Sequence, residues 1–70
     1  MAVSQGWPAL VRWLEGEDAS WFVDSADEGT LPLGEARELL EDYGIAPGPR
    51  ELRRLGVEVG RVLGVASVAA

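Results

Sequence analysis

The 70-residue sequence predicts a small all-α domain, a four-helix bundle with a long first loop and a short third helix. Apolar residues recur at helical spacing in several segments, prolines stand where helices would begin, and glycines stand where helices would end. A chain of this length can bury only one small core. Residues 1–70 are therefore expected to form a single domain.

The first helix is predicted at residues 7–15. Pro8 suits its first turn, because the missing N–H has no helical partner there, and Gly16 is expected to end it. The apolar residues are spaced i, i+3, i+4 and i+7 and share one face: Trp7, Leu10, Val11 and Leu14. Trp13 lies off that line, so either Trp7 or Trp13 is a candidate anchor for a partner.

Residues 16–29 are predicted to form a long loop. Three adjacent bulky side chains lie inside it, Trp21, Phe22 and Val23. Such side chains in a polar segment usually pack onto a core. The loop is therefore expected to fold back over the bundle through this apolar plug.

The next helix, from Leu31 to Tyr43, has the clearest pattern. Thr30 is a suitable N-cap, and Pro32 is suited to a first turn. Its apolar stripe consists of Leu33, Ala36, Leu39, Leu40 and Tyr43. Gly44 is expected to close the helix in a left-handed conformation, with Ile45 as the apolar residue that follows.

The C-terminal third of the chain begins with a turn at Pro47-Gly48-Pro49. A short third helix is expected to start at Pro49, to carry Leu52 and Leu55, and to stop at Gly56. Residues 57–70 fit either a strand or a helix, and a helix is favoured because a strand would have no partner.

Glycine recurs every fourth residue in that last segment. In a helix the recurring residues would line one ridge and permit close packing, although glycine is common throughout this chain and chance explains the spacing equally well. The glycines concerned are Gly56, Gly60 and Gly64.

The composition argues against several classes of function. Cysteine and histidine are absent, which removes thiolate chemistry, the commonest general base and the commonest metal ligand. The protein is therefore expected not to be an enzyme and not to hold a metal. Residues 1–42 contain ten acids and two arginines, a balance of −8, and residues 43–70 contain four arginines and two acids, a balance of +2, which together give −6.

An acidic protein is repelled by nucleic acids and anionic membranes, so neither is favoured as a partner. The N-terminus has no basic flank before a long apolar run. The apolar stretch at residues 57–70 is shorter than the ~20 residues that span a bilayer. A cytoplasmic monomer is expected.

Three stretches resemble the acyl and peptidyl carrier protein family. They are DASWF at residues 18–22, LLEDYGI at 39–45 and VGRVLGV at 59–65. The resemblance covers roughly residues 7–66 and implies a helical bundle whose second helix docks to biosynthetic synthases or transferases. It also implies a thioester cargo on a phosphopantetheine cofactor, attached to a serine at the start of that helix.

The resemblance assigns two kinds of site residue. Ser25, preceded by Asp24, is the candidate acceptor, although it lies about one helical turn before the family's position, where this chain has Gly29. Without the modification, the protein would lack the phosphopantetheine arm and act as a scaffold or regulator, which we call the armless form. The candidate docking residues for basic partners are Glu35, Glu38, Glu41 and Asp42.

Two alternatives come from other classes. Residues 24–35 resemble a single calcium loop, with Gly29 at the turn position and Glu35 at the last ligand position, but Ala26 and Pro32 stand at two ligand positions. Alternatively, GEARELLEDYGI at residues 34–45 and RELRRLG at 50–56 would be the two helices of a helix-turn-helix or winged DNA-binding domain, with the tail as its wing. Its phosphate contacts would be Arg50, Arg53, Arg54 and Arg61.

The sequence also fits a protein without a chemical site. A small acidic chain with three tryptophans suits a pure interaction subunit or an inhibitor. The pathway, cargo and partner are not fixed by the residues.

Overall fold

The computed structural model describes residues 6–68, and this range folds into four α-helices. They are α1 (Gly6–Leu14), α2 (Ser20–Asp27), α3 (Leu33–Asp42) and α4 (Pro49–Leu63), with a 3₁₀ turn (Glu17–Ala19) between α1 and α2. The predicted all-α four-helix bundle is confirmed. The four helices are not, however, the four that the sequence predicted.

The core is built around α4, which packs against each of the other three helices. Every helix contributes at least one large side chain that is fully buried. These side chains are Leu10, Leu14, Phe22, Leu40, Leu55 and Val59. Burial of each contributes about 1.5–3 kcal/mol relative to exposure, so one continuous core holds the four helices together.

The predicted long loop at residues 16–29 is wrong, because most of it is the 3₁₀ turn and α2. Phe22, Val23 and Ala26 are buried, at the i, i+1 and i+4 spacing of a helix face. Phe22 and Val23 of the predicted plug therefore lie on the buried side of a short amphipathic helix, whereas Trp21, which was expected to pack onto the core, is exposed. The helix ends before Gly29, whose φ of 148° favours glycine.

Helix α3 begins later than predicted and ends at Asp42, one residue before the predicted Tyr43, which is its C-cap. Pro32, not Thr30, is the N-cap, and the Pro32 carbonyl accepts a hydrogen bond from the Ala36 N–H at 2.8 Å. Gly44 has a φ of 73°, and the Ile45 N–H donates to the Leu40 carbonyl at 2.8 Å. The left-handed closure at Gly44 is confirmed, and its hydrogen bonding is that of a Schellman motif.

The predicted short third helix is wrong, because α4 continues through Gly56 to Leu63. The helical interpretation of the last segment is confirmed for residues 57–63. Residues 65–68 then turn back along α4, and the Val68 N–H donates to the Gly56 carbonyl at 3.0 Å. Residues 69–70 lie outside the described range.

Close packing explains why glycine does not break α4. A Cβ atom on Gly56 would overlap the Val68 carbonyl oxygen, and one on Gly60 would lie 2.8 Å from the Ser67 Cα. The predicted glycine ridge is thus present at these two positions. Gly64 is not part of it, because its φ of 84° places it at the end of the helix.

Within residues 6–68, no helix is both long enough and apolar enough to cross a membrane.

Candidate partner-binding groove

A groove of about 410 Å³ lies between α3 and the tryptophans of α1 and α2. One part of its lining is aromatic and the other part is acidic. The aromatic residues are Trp13, Trp21 and Tyr43, and the acidic residues are Glu35, Glu38 and Asp42. We call this feature the acidic–aromatic groove.

The two tryptophans are held in place by a buried ring. Trp13 and Trp21 have ring centroids 6.2 Å apart and an interplanar angle of 70°. The centroid of the Phe22 ring lies 6.1 Å from that of Trp13 and 5.6 Å from that of Trp21. Phe22 is fully buried. Trp21 nevertheless remains 53% exposed, so the groove presents an apolar surface that is fixed by the core but open to solvent.

The acids occupy one side of α3. Glu35, Glu38 and Asp42 are spaced i, i+3 and i+7, which aligns them along the helix, and all three are exposed. Within the described residues, none of them forms a salt bridge. A cation in the groove would therefore meet carboxylates that are not already paired, next to aromatic rings.

Three of the four predicted docking residues line this groove. The fourth, Glu41, is exposed but is not among the residues around the groove. It lies one turn after Glu38 and about 100° around the helix from Asp42, at the edge of the acidic face and outside the groove lining. The acidic face of α3 is therefore divided into a groove side and an outer side.

The sequence interpretation named Trp13, which lines the groove, as a candidate anchor but missed Trp21. The candidate anchors were Trp7 and Trp13, but both are partly buried and packed against the core. The most exposed tryptophan is Trp21. The spacing of Phe22, Val23 and Ala26 could have revealed it, since a helix with those residues buried turns Trp21 outward.

Ser25 lies on α2, not in a loop and not at the start of α3. It is exposed, and its Oγ donates a hydrogen bond to the Trp21 carbonyl at 2.9 Å. This is the i to i−4 bond that serines commonly form inside helices. Attachment of phosphopantetheine at Ser25 stays a prediction.

The calcium-loop alternative does not fit the fold. Asp24 and Asp27, which would belong to the first part of the loop, lie in α2, whereas a calcium loop needs these residues to wrap around the ion. Residues 6–68 contain no group of three or more acidic, cysteine or histidine side chains placed to hold a metal ion.

The four arginines of the DNA-binding alternative all lie on α4 and are exposed. Two of them converge on one buried carboxylate. Arg61 donates to Glu58 at 3.3 Å, Arg54 lies 3.9 Å from Glu58, and Glu58 is only 8% exposed. The proposed wing is wrong, because residues 57–63 belong to α4.

Comparison with protein-family models, curated proteins and solved structures finds no match to this chain. The acyl carrier resemblance therefore stays a prediction.

Proposed function

We propose that this protein is a non-catalytic interaction module that binds a basic segment of a partner protein in the acidic–aromatic groove. The observation that carries the proposal is the combination of three unpaired carboxylates with three aromatic rings around one cavity. Carboxylates attract a cationic side chain, and aromatic faces stabilise it by cation–π interaction.

The exposure of Trp21 supports a protein partner over a small ion. A tryptophan that is 53% exposed leaves a large apolar area in water, and burial of such residues dominates many protein interfaces. A metal or a simple cation would not cover that area. A peptide segment could cover it and also present basic side chains to Glu35, Glu38 and Asp42.

The proposal corresponds to the armless form of the carrier-like interpretation. In that form a biosynthetic synthase or transferase would supply the basic segment, and the module would act as a scaffold or regulator. Ser25 supports this choice, because its hydroxyl is engaged by the Trp21 carbonyl and lies on α2 instead of at the start of the docking helix.

Charge reversal on α3 tests the proposal. A labelled, short helical peptide with three basic residues on one face would be titrated with the wild-type protein and with Glu38→Lys, using fluorescence anisotropy. We expect Glu38→Lys to weaken binding by about 0.5–1.5 kcal/mol, because it removes one exposed attractive pair and adds a repulsion of similar size. The measurement would be repeated at higher salt, where the electrostatic part should decrease.

Glu41→Lys is the matched control. It makes the same charge change on the same helix, at an exposed position outside the groove. It should weaken binding much less than Glu38→Lys. Equal losses in the two variants would show that net charge attracts the peptide and that the groove does not bind it.

The armless interpretation makes a separate prediction about Ser25. Incubation with coenzyme A and a broad-specificity phosphopantetheinyl transferase should leave the intact mass unchanged, because an acceptor inside a helix is poorly presented to a transferase. Mass spectrometry of the folded protein measures this. A gain of one phosphopantetheine that disappears in Ser25→Ala would instead show a cargo carrier.

A further inference from the structure

We infer that the side chain bound in the acidic–aromatic groove is arginine and that the groove discriminates against lysine. The inference rests on the proposed function and specifies its ligand chemistry: a guanidinium group stacked on Trp21 and hydrogen-bonded to the carboxylates of α3. Its partner is a segment of another protein that exposes arginine.

The first reason is the arrangement of donors on the two cations. The five N–H groups of a guanidinium lie in its plane, so an arginine that stacks on an indole still directs them sideways to carboxylates. An ammonium is compact and strongly hydrated, and it has no flat face. In the groove, Glu35, Glu38 and Asp42 line the same cavity as the two indole rings. That arrangement suits a planar cation better than a point charge.

The second reason is that Arg54 of this chain already lies between an indole ring and a carboxylate. At the contact of α1 and α4, the Arg54 guanidinium carbon lies 4.5 Å from the centre of the Trp7 ring. Its Nε lies 3.9 Å from a Glu58 oxygen. An indole and a carboxylate therefore hold one guanidinium in this fold.

The acidic–aromatic groove contains indole rings and carboxylates, as the Arg54 contact does, but it contains no guanidinium group. It is lined by indole rings and carboxylates, and none of its lining residues is basic. The cation must come from outside the groove. The charge of the lining thus calls for a cationic occupant, and the planar-donor argument above selects arginine over lysine.

The test compares three peptides that differ only in one class of side chain. An arginine peptide, the same peptide with lysine, and the same peptide with neutral citrulline would be titrated with the whole protein by fluorescence anisotropy. The arginine peptide should bind about two- to fivefold more tightly than the lysine peptide, as expected for one exposed stacking interaction. The citrulline peptide should bind most weakly.

Trp21→Leu links the preference to the groove. The substitution removes the indole at an exposed position and leaves the carboxylates in place. The ratio of arginine to lysine affinity should decrease to near one, while binding of both peptides persists. Trp7→Leu, at the other arginine contact, is the control and should leave the ratio unchanged. Thermal melts of both variants establish that they are folded.

The outcomes separate the inference from the proposed function. Equal binding of the arginine and lysine peptides by the wild-type protein would overturn the inference and leave the basic-segment proposal in place. Failure of both peptides to bind would overturn both. Self-association that Glu38→Lys abolishes would overturn the assignment to a separate partner, because Arg50 or Arg53 of a second copy would then occupy the groove.

Discussion

Glu58 shows at the level of one residue how this chain uses its charges. It is the buried charged residue among those described, and it is within salt-bridge distance of Arg54 and Arg61. The arginine side chains remain 56% and 70% exposed, so solvent screens much of the attraction. The carboxylate therefore positions the two guanidinium groups more than it stabilises the fold.

Substitution of Glu58 tests that interpretation. Glu58→Ala should lower the free energy of unfolding by only about 1 kcal/mol, because both arginines can be solvated once the carboxylate is gone. Glu58→Met, which keeps the side-chain volume, should be close to neutral. Urea denaturation measures both effects. A loss several times larger in both variants would show that these ion pairs within α4 make a large contribution to stability.

Only some residues of the candidate site could be predicted from the sequence. Glu35, Glu38 and Asp42 were identified because charge and helical spacing can be read directly from the α3 pattern. Trp21 was not identified, because its role depends on α2 bringing it beside Trp13 across the 3₁₀ turn. The spacing of Phe22, Val23 and Ala26 indicates that Trp21 faces outward, but the contact between Trp21 and Trp13 on another helix has no signature in local spacing.

At the level of elements, the predictions failed where tertiary packing overrides local propensity. Gly44 closes α3 as predicted because the Schellman motif is a local structure. Gly56 was expected to stop a helix, since glycine costs about 1 kcal/mol in a helix interior. The returning chain at residues 65–68 packs against Gly56 and Gly60 and offsets that cost, and such a contact between distant segments cannot be read from glycine spacing alone.

Two glycine-to-alanine substitutions measure that packing. Gly56→Ala should lower the free energy of unfolding by about 1–3 kcal/mol, because the new methyl group overlaps the Val68 carbonyl and forces the C-terminal segment to move. Gly34→Ala in α3 is the control: its Cβ would meet no atom within 4 Å, and alanine should stabilise the helix by about 0.5–1 kcal/mol. Stabilisation by both substitutions in thermal unfolding would contradict the close packing of the C-terminal segment.

Across the whole molecule, the two signs of charge are unevenly distributed along the chain, although Arg37 lies on α3 and Glu51 and Glu58 lie on α4. The net charge of −6 is concentrated before residue 43, and the groove acids lie on α3, while four of the six arginines lie on α4. This uneven distribution makes the groove side of α3 acidic and places most of the arginines on α4. The sequence predicted the distribution correctly, because it needs only charge counts and the order of the helices.

The distribution of tryptophans provides the most direct test of the proposed groove. In a ¹H–¹⁵N spectrum, each indole N–H gives its own resonance, and the chain has three tryptophans. On addition of an arginine-rich peptide, the Trp13 and Trp21 indole resonances should shift, and Trp7, which lies outside the groove beside Arg54, should stay in place. A shift at Trp7 alone, or no shift at any indole under saturating peptide, would contradict binding in the acidic–aromatic groove.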